Sequence, residues 1–195
     1  MSNAFQVRLA LVAPSGSGKS TTAQLLGQYF QRAGMSVDVI KLAEPLYELQ
    51  GIFYEQAGVH LVKGSQNQSL LECIARELRA LSDHSLIDNF ARRLADSTAQ
   101  VIINDDLRDD ATDWPFLRDE GFQVIKVLTE SGLRQSRLEE RGDVSVVQNS
   151  ALDQQMDRIK ADYVLPNNRS LRQLEERIAV IAQWALTASR CRMAS

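Results

Sequence analysis

Cysteine is scarce in this chain. There are two in 195 residues, Cys73 and Cys191, far apart and without metal-binding spacing. That excludes a disulfide-stapled scaffold and a cysteine zinc site, and both residues are expected to remain thiols in a reducing cytoplasm. Proline is also rare, with four residues and no cluster, so no proline-rich linker divides the chain. The two histidines, His60 and His84, stand alone and make neither a metal site nor a triad. No apolar run approaches the roughly 20 residues that a spanning helix needs. The N-terminus lacks the basic-then-apolar form of a secretory signal, and no membrane association is expected. Positive charge is not in excess either. The net charge is −3, so no overall field draws nucleic acid. Internal repeats and low-complexity segments are absent. What remains is ordinary globular composition, 44% hydrophobic and 24% charged, sized for a single domain over 1–195.

Against that plain background one stretch stands out. Ala13-Pro14-Ser15-Gly16-Ser17-Gly18-Lys19-Ser20-Thr21 fits the phosphate-loop pattern, with Ala13 where glycine usually opens it. An apolar run ending at Val12 precedes it. Helical spacing of Thr22, Leu25, Leu26, Tyr29, Phe30 and Ala33 follows it. Strand, glycine loop and helix form the arrangement that phosphate binding requires. Gly16 and Gly18 let the backbone turn its N–H groups inward, and the helix start adds partial positive charge. Lys19 is placed to reach the β and γ phosphates, and Ser20 to ligate Mg²⁺. The stretch predicts a nucleoside triphosphate bound with Mg²⁺.

The rest alternates strand and helix, which predicts a parallel sheet with helices on both faces. Strands are expected at about 5–12, 36–42, 100–104, 122–128 and 161–165. Helices are expected at about 19–33, from Pro45 onward, 68–81, from a Ser85 cap, 114–120, 131–140, 150–159 and after a Ser170 cap with Gln173 at the box position. Five strands with crossover helices fit a P-loop α/β domain, an α/β/α arrangement with a five-stranded parallel sheet.

Asp105 and Asp106 close the third strand, where a carboxylate can face Mg²⁺ or orient an acceptor hydroxyl; Asp106 is the first choice and Asp105 the second. Arg134, Arg137 and Arg141 share one helical face, which can neutralise charge on a transferring phosphoryl group or simply be a solvated surface. Arg76 and Arg79 share another, suited to an acceptor phosphate or to a surface ion pair with Glu72. Asn167 and Asn168 follow a strand end, in reach of an adenine ring or forming a turn that needs no ligand. Trp114 and Trp184 read as packing residues.

The phosphate loop, Leu42-Ala43-Glu44-Pro45-Leu46, Asp105-Asp106-Leu107-Arg108 and Ala161 to Leu171 occur in an order that resembles nucleoside-monophosphate-kinase-like proteins. The similarity is greatest to deoxynucleoside monophosphate kinases of phage and bacteria, and dephospho-CoA kinases share the ending. The resemblance implies that Lys19 and Ser20 handle phosphates and metal, and that Asp106 and Arg108 lie near the reacting groups. It places Glu44, Pro45, Arg76 and Arg79 on the acceptor side, with about 45–98 as its helical region, Arg134, Arg137 and Arg141 in a lid over about 131–149, and Asn167 or Asn168 near the adenine. The chain departs from the pattern on the acceptor side. Asp109-Asp110-Ala111-Thr112 stands where an aromatic residue, Pro, Asn and Glu are usual, Lys41 replaces an aromatic residue, and no tryptophan follows Ser85.

The expected function is therefore ATP- and Mg²⁺-dependent phosphoryl transfer to a small phosphorylated acceptor, a (deoxy)nucleoside monophosphate first, with a kinase for dephospho-CoA or another small molecule as the rival. A nucleotide-binding regulatory module with slow or no hydrolysis is the alternative from another class. The sequence contains no Asn-Lys-x-Asp guanine element and no Leu-Ser-Gly-Gly-Gln transporter signature.

Overall fold

Strand β1 (Val7–Val12) is apolar on both sides, and the alternation of its side chains builds two core layers at once. Val7, Leu9 and Leu11 enter one layer; Ala10 and Val12 enter the other. Only a central parallel strand is buried in this way. In the structure, a computed structural model that describes residues 5–62, 65–141 and 151–193 apart from the side chains of 141, 151–153 and 193, β1 holds that place. It pairs with β3 (Val101–Leu107) on one side and β4 (Gln123–Leu128) on the other. β2 (Val37–Val39) and β5 (Tyr163–Pro166) form the edges, in the order β2-β3-β1-β4-β5, all parallel.

Helices α1 (Lys19–Arg32) and α8 (Leu171–Met193) cover one face through Leu26, Phe30, Ile178 and Ile181. The other face carries α4 (Ser85–Asp96), α5 (Asp113–Asp119) and α7 (Ala151–Arg158), which contribute Phe90, Leu94, Leu117 and Met156. Helices α2 (Glu44–Gln56) and α3 (Gln68–Leu81) pack with α4 around Leu46, Ile74, Ala75 and Leu86, a small separate core beside the sheet. Helix α6 (Ser131–Arg141) lies over the phosphate loop.

Several boundaries differ from those the sequence predicts, each for a local reason. The second strand shortens to Val37–Val39 because the amides of Leu42 and Ala43 donate to the Asp106 carboxylate (2.9 and 2.8 Å) instead of to a neighbouring strand. The third strand runs on through Asp105 and Asp106 to Leu107, with a register shift against β1 between Ala10 and Val12. Ser85 is the first helical residue, not the cap; His84 takes that position without a side-chain bond. Helix α5 starts at Asp113 because the Asp109 carboxylate collects the amides of Ala111 and Thr112 (3.0 and 2.6 Å) just before it. Residues 142–149 of the expected lid lie outside the described residues.

Candidate active site

The loop from Ala13 to Gly18 joins β1 to α1 at the carboxyl end of the central strand. Gly16 and Gly18 adopt left-handed φ angles of 79° and 90°. At both positions a side chain would also have nowhere to go. A Cβ at 16 would lie 2.6 Å from the Arg134 carbonyl, and one at 18 would collide with Asn167 Nδ2. No side chain caps α1, which leaves its first-turn amides to whatever enters the cleft in front. That cleft is lined by Ser15 to Thr21, Lys41, Asp105, Asp106, Arg108 and Arg137 among others.

Lys19 is buried within it. Its Nζ donates to the carbonyls of Ala13 and Pro14, the latter at 3.2 Å. Burial, and then the nearby Arg108 guanidinium, lower its pKa to about 7, against the opposing pull of Asp105 and Asp106. Two arginines meet at Ser15: Arg108 Nη2 donates to its hydroxyl (3.3 Å) and Arg134 Nε to its carbonyl (3.1 Å). Arg137 reaches the other end of the loop, where its Nη2 donates to the Asn167 carbonyl (3.3 Å) and its Nη1 is buried without a hydrogen-bond partner. The side chain of Arg141 is outside the described residues.

The paired aspartates divide their work. Asp106 accepts from Leu42 and Ala43 amides and from Asn104 Nδ2 (2.6 Å), so its carboxylate is tied to the turn after β2. Burial and the adjacent Asp105 push its pKa up, although those donors hold it down in part. Asp105 is buried too, but Oδ1 accepts no hydrogen bond; Lys41 Nζ stands 3.2 Å away. The Lys41 ammonium also donates to Oδ2 (3.3 Å), so among the described residues this buried carboxylate is held by one ammonium alone, in a cleft that also presents the Ser20 hydroxyl; such an oxygen pair suits a hard cation.

A second cavity, about 620 Å³ with its open mouth, adjoins the first and shares Tyr47, Gln66, Asp106 and Arg108 with it. Its walls are Leu42, Ala43, Leu46, Leu71, Ala75 and Leu86, supplied by α2, α3, α4 and the turn after β2. Arg79 enters it from α3 and pairs with Asp113 at 3.2 Å. Burial raises Asp113 to about 6 despite that partner. Asp109 also suffers burial, but hydrogen bonds from Thr112 outweigh it and hold its pKa below the ordinary value.

The structure thus brings Lys19, Ser20, Asp105, Asp106, Arg108, Arg134 and Arg137 together around the loop, and Arg79 into the adjoining cavity. It does not bring Arg76 or Glu44 there. Arg76 is 72% exposed and pairs with Glu77, its neighbour in sequence. Glu44 lines a separate surface depression with Asp38 and Arg93. Asn167 is buried behind the loop, and the exposed Asn168 is tied to Glu130 (2.9 and 3.2 Å). Sequence reasoning passed over Tyr47, Asp113 and Thr129. Thr129 carried a usable signal, a hydroxyl one residue past the end of a strand adjacent to the phosphate-loop strand, where open α/β sheets place binding groups.

No protein-family model matches the sequence, and no curated protein does. Solved structures do. The APS kinase of Mycobacterium tuberculosis, in complex with AMPPNP and APS, superimposes with a TM-score of 0.51 at 17% identity, over 91% of this chain and 97% of that one. The shikimate kinase of Acinetobacter baumannii, in complex with shikimate, gives 0.54 at 13% identity over 94% of each chain. Shikimate kinase from Bacteroides thetaiotaomicron gives 0.53 at 14%, over 91% of this chain and 97% of that one. The chain shares the α/β fold of these solved kinases. Within it, both cavities open where β1, β2 and β3 end, as sheet topology directs.

Proposed function

We propose that this chain is an ATP- and Mg²⁺-dependent kinase that transfers the γ-phosphoryl group to a small acceptor held in the apolar-walled cavity. The observation that carries this reading is Arg108, which lines both cavities and touches Ser15 of the loop. A guanidinium shared by donor and acceptor sites is placed to stabilise charge on a group passing between them. Loop amides from Ser15 to Thr21 and the Lys19 ammonium would hold the triphosphate. Ser20 and Asp105 would hold Mg²⁺; Asp106, whose oxygens already accept from Leu42, Ala43 and Asn104, would hold the turn after β2. A bound Mg²⁺ supplies neutralisation of the β- and γ-phosphate oxygens.

The acceptor is a small phosphorylated molecule, a (deoxy)nucleoside monophosphate in the first instance. The apolar walls and Tyr47 suit a planar body, and Arg108 with Arg79 suits its anionic end. Dephospho-CoA is the rival acceptor. A regulatory module with slow hydrolysis is the rival class. ADP release from Mg·ATP, measured alone and with a panel of nucleoside monophosphates and dephospho-CoA, separates them. One acceptor is expected to stimulate release and leave as a phosphorylated product. Slow release indifferent to every acceptor would favour the regulatory module.

A further inference from the structure

The loop is held from behind at one carbonyl. Ser17 O accepts from Asn167 Nδ2 at 2.9 Å and from Thr129 Oγ1 at 3.0 Å. These two donors come from different places, one past the end of β5 and one past the end of β4. Neither is loose. The Asn167 amide extends the ladder to Leu128 O at 2.7 Å, its own carbonyl accepts from Arg137, and its side chain is buried; the Thr129 hydroxyl lies nearer Ser17 O than its alternative acceptor, Asn167 O at 3.4 Å. The 17–18 peptide is trans, so its N–H points opposite to its C=O. Pinning the carbonyl toward β4 and β5 therefore turns the Gly18 N–H toward the cleft that Ser17 and Gly18 line. Asn167 also presses on the loop closely enough that only glycine fits at 18.

We propose that Asn167 and Thr129 are positioning residues for the donor phosphates: together they fix the Ser17–Gly18 peptide with its N–H aimed at the triphosphate. This assigns Asn167 to the loop and not to the adenine ring. It rests on the reading of the loop as a triphosphate site and is independent of which acceptor is used.

The two roles for Asn167 predict different ligand patterns. An adenine contact affects ATP alone, whereas a loop brace affects every ligand that offers a polyphosphate. The test is calorimetric titration of the full chain with Mg·ATP, Mg·GTP and Mg·tripolyphosphate, comparing wild type with Asn167→Ala, Asn167→Asp, Thr129→Val and Thr129→Ser, with binding expressed per folded molecule from circular dichroism. Losing one donor should weaken all three ligands by a similar factor, roughly five- to tenfold. Asn167→Asp, which keeps side-chain volume and sets a carboxylate against the Ser17 carbonyl, should weaken them at least as much, and it serves if Asn167→Ala does not fold. Thr129→Ser, which keeps the hydroxyl, should bind as wild type does. A loss confined to ATP, or unchanged affinities in folded Asn167 and Thr129→Val variants, would overturn the proposal. Wild-type protein that binds none of the three ligands would overturn both it and the kinase reading; wild-type binding that is weakened as predicted, without transfer to any acceptor, would remove the kinase reading alone.

Discussion

Lys19 is caught between burial and charge, and its protonation follows from that. Its folded pKa of about 7 lies below the ordinary 10.5. Between those values the unfolded chain binds the extra proton, so this group's contribution to stability rises with pH across that window. A triphosphate beside it restores the ammonium. At pH 8, binding should therefore draw in close to one proton, and at pH 6 almost none. Titrations in two buffers of different ionisation enthalpy read this directly, and Lys19→Met should abolish the difference. The same substitution should lower transfer by about 100-fold or more, as loss of a preorganised charge at the reacting group does. Asp113 runs the other way. Its pKa of about 6 is raised from the ordinary carboxylate value, so its contribution to stability falls as pH rises through that window and levels off above it. Arg79→Ala would leave that carboxylate buried alone, at a cost of about 3 kcal/mol near pH 7. The cost should shrink at pH 5, where Asp113 holds a proton; urea unfolding at the two pH values measures both.

At the scale of elements, the junction of α6 with the phosphate loop sets the donor site. Gly16 and Gly34 share a φ of 79°, but only Gly16 has a backbone atom, the Arg134 carbonyl, where a Cβ would go. Gly34→Ala should cost about 1 kcal/mol for its left-handed backbone. Gly16→Ala should cost about 3 kcal/mol and weaken triphosphate binding as α6 is pushed away. Paired thermal melts and titrations compare them. On the acceptor side, Leu71→Trp fills the apolar cavity from α3, and should raise the acceptor KM with little change in ATP affinity. These elements were unequally legible in the sequence. The strand alternation and the Gly16–Gly18–Lys19–Ser20 spacing are local, and periodicity reads local order well. Arg134 and Arg137 could be placed on one face but not against Ser15 and Asn167, because those partners lie 119 and 30 positions away and are reached only through the packing of α6. Arg76 and Arg79 look equivalent by spacing. Only the position of Asp113 on α5 separates the half-buried one from the exposed one. The end of β2 was misjudged because a side chain, Asp106, took the amides that a strand would have used.

For the molecule as a whole, the parallel sheet sets the phosphate-loop cleft and the apolar-walled cavity side by side at one end, with Arg108 lining both and cores on both faces of the sheet. Binding there stabilises the folded chain by mass action, so Mg·ATP should raise the melting temperature in proportion to the logarithm of its concentration. The central claim is that the γ-phosphoryl group crosses from one cavity to the other. The direct measurement follows a label on that group, from ATP into products, in the presence of each nucleoside monophosphate and dephospho-CoA. The account predicts label in an organic phosphate with one of these acceptors, and its loss in Arg108→Ala. Label recovered only as inorganic phosphate, whatever acceptor is supplied, would contradict it.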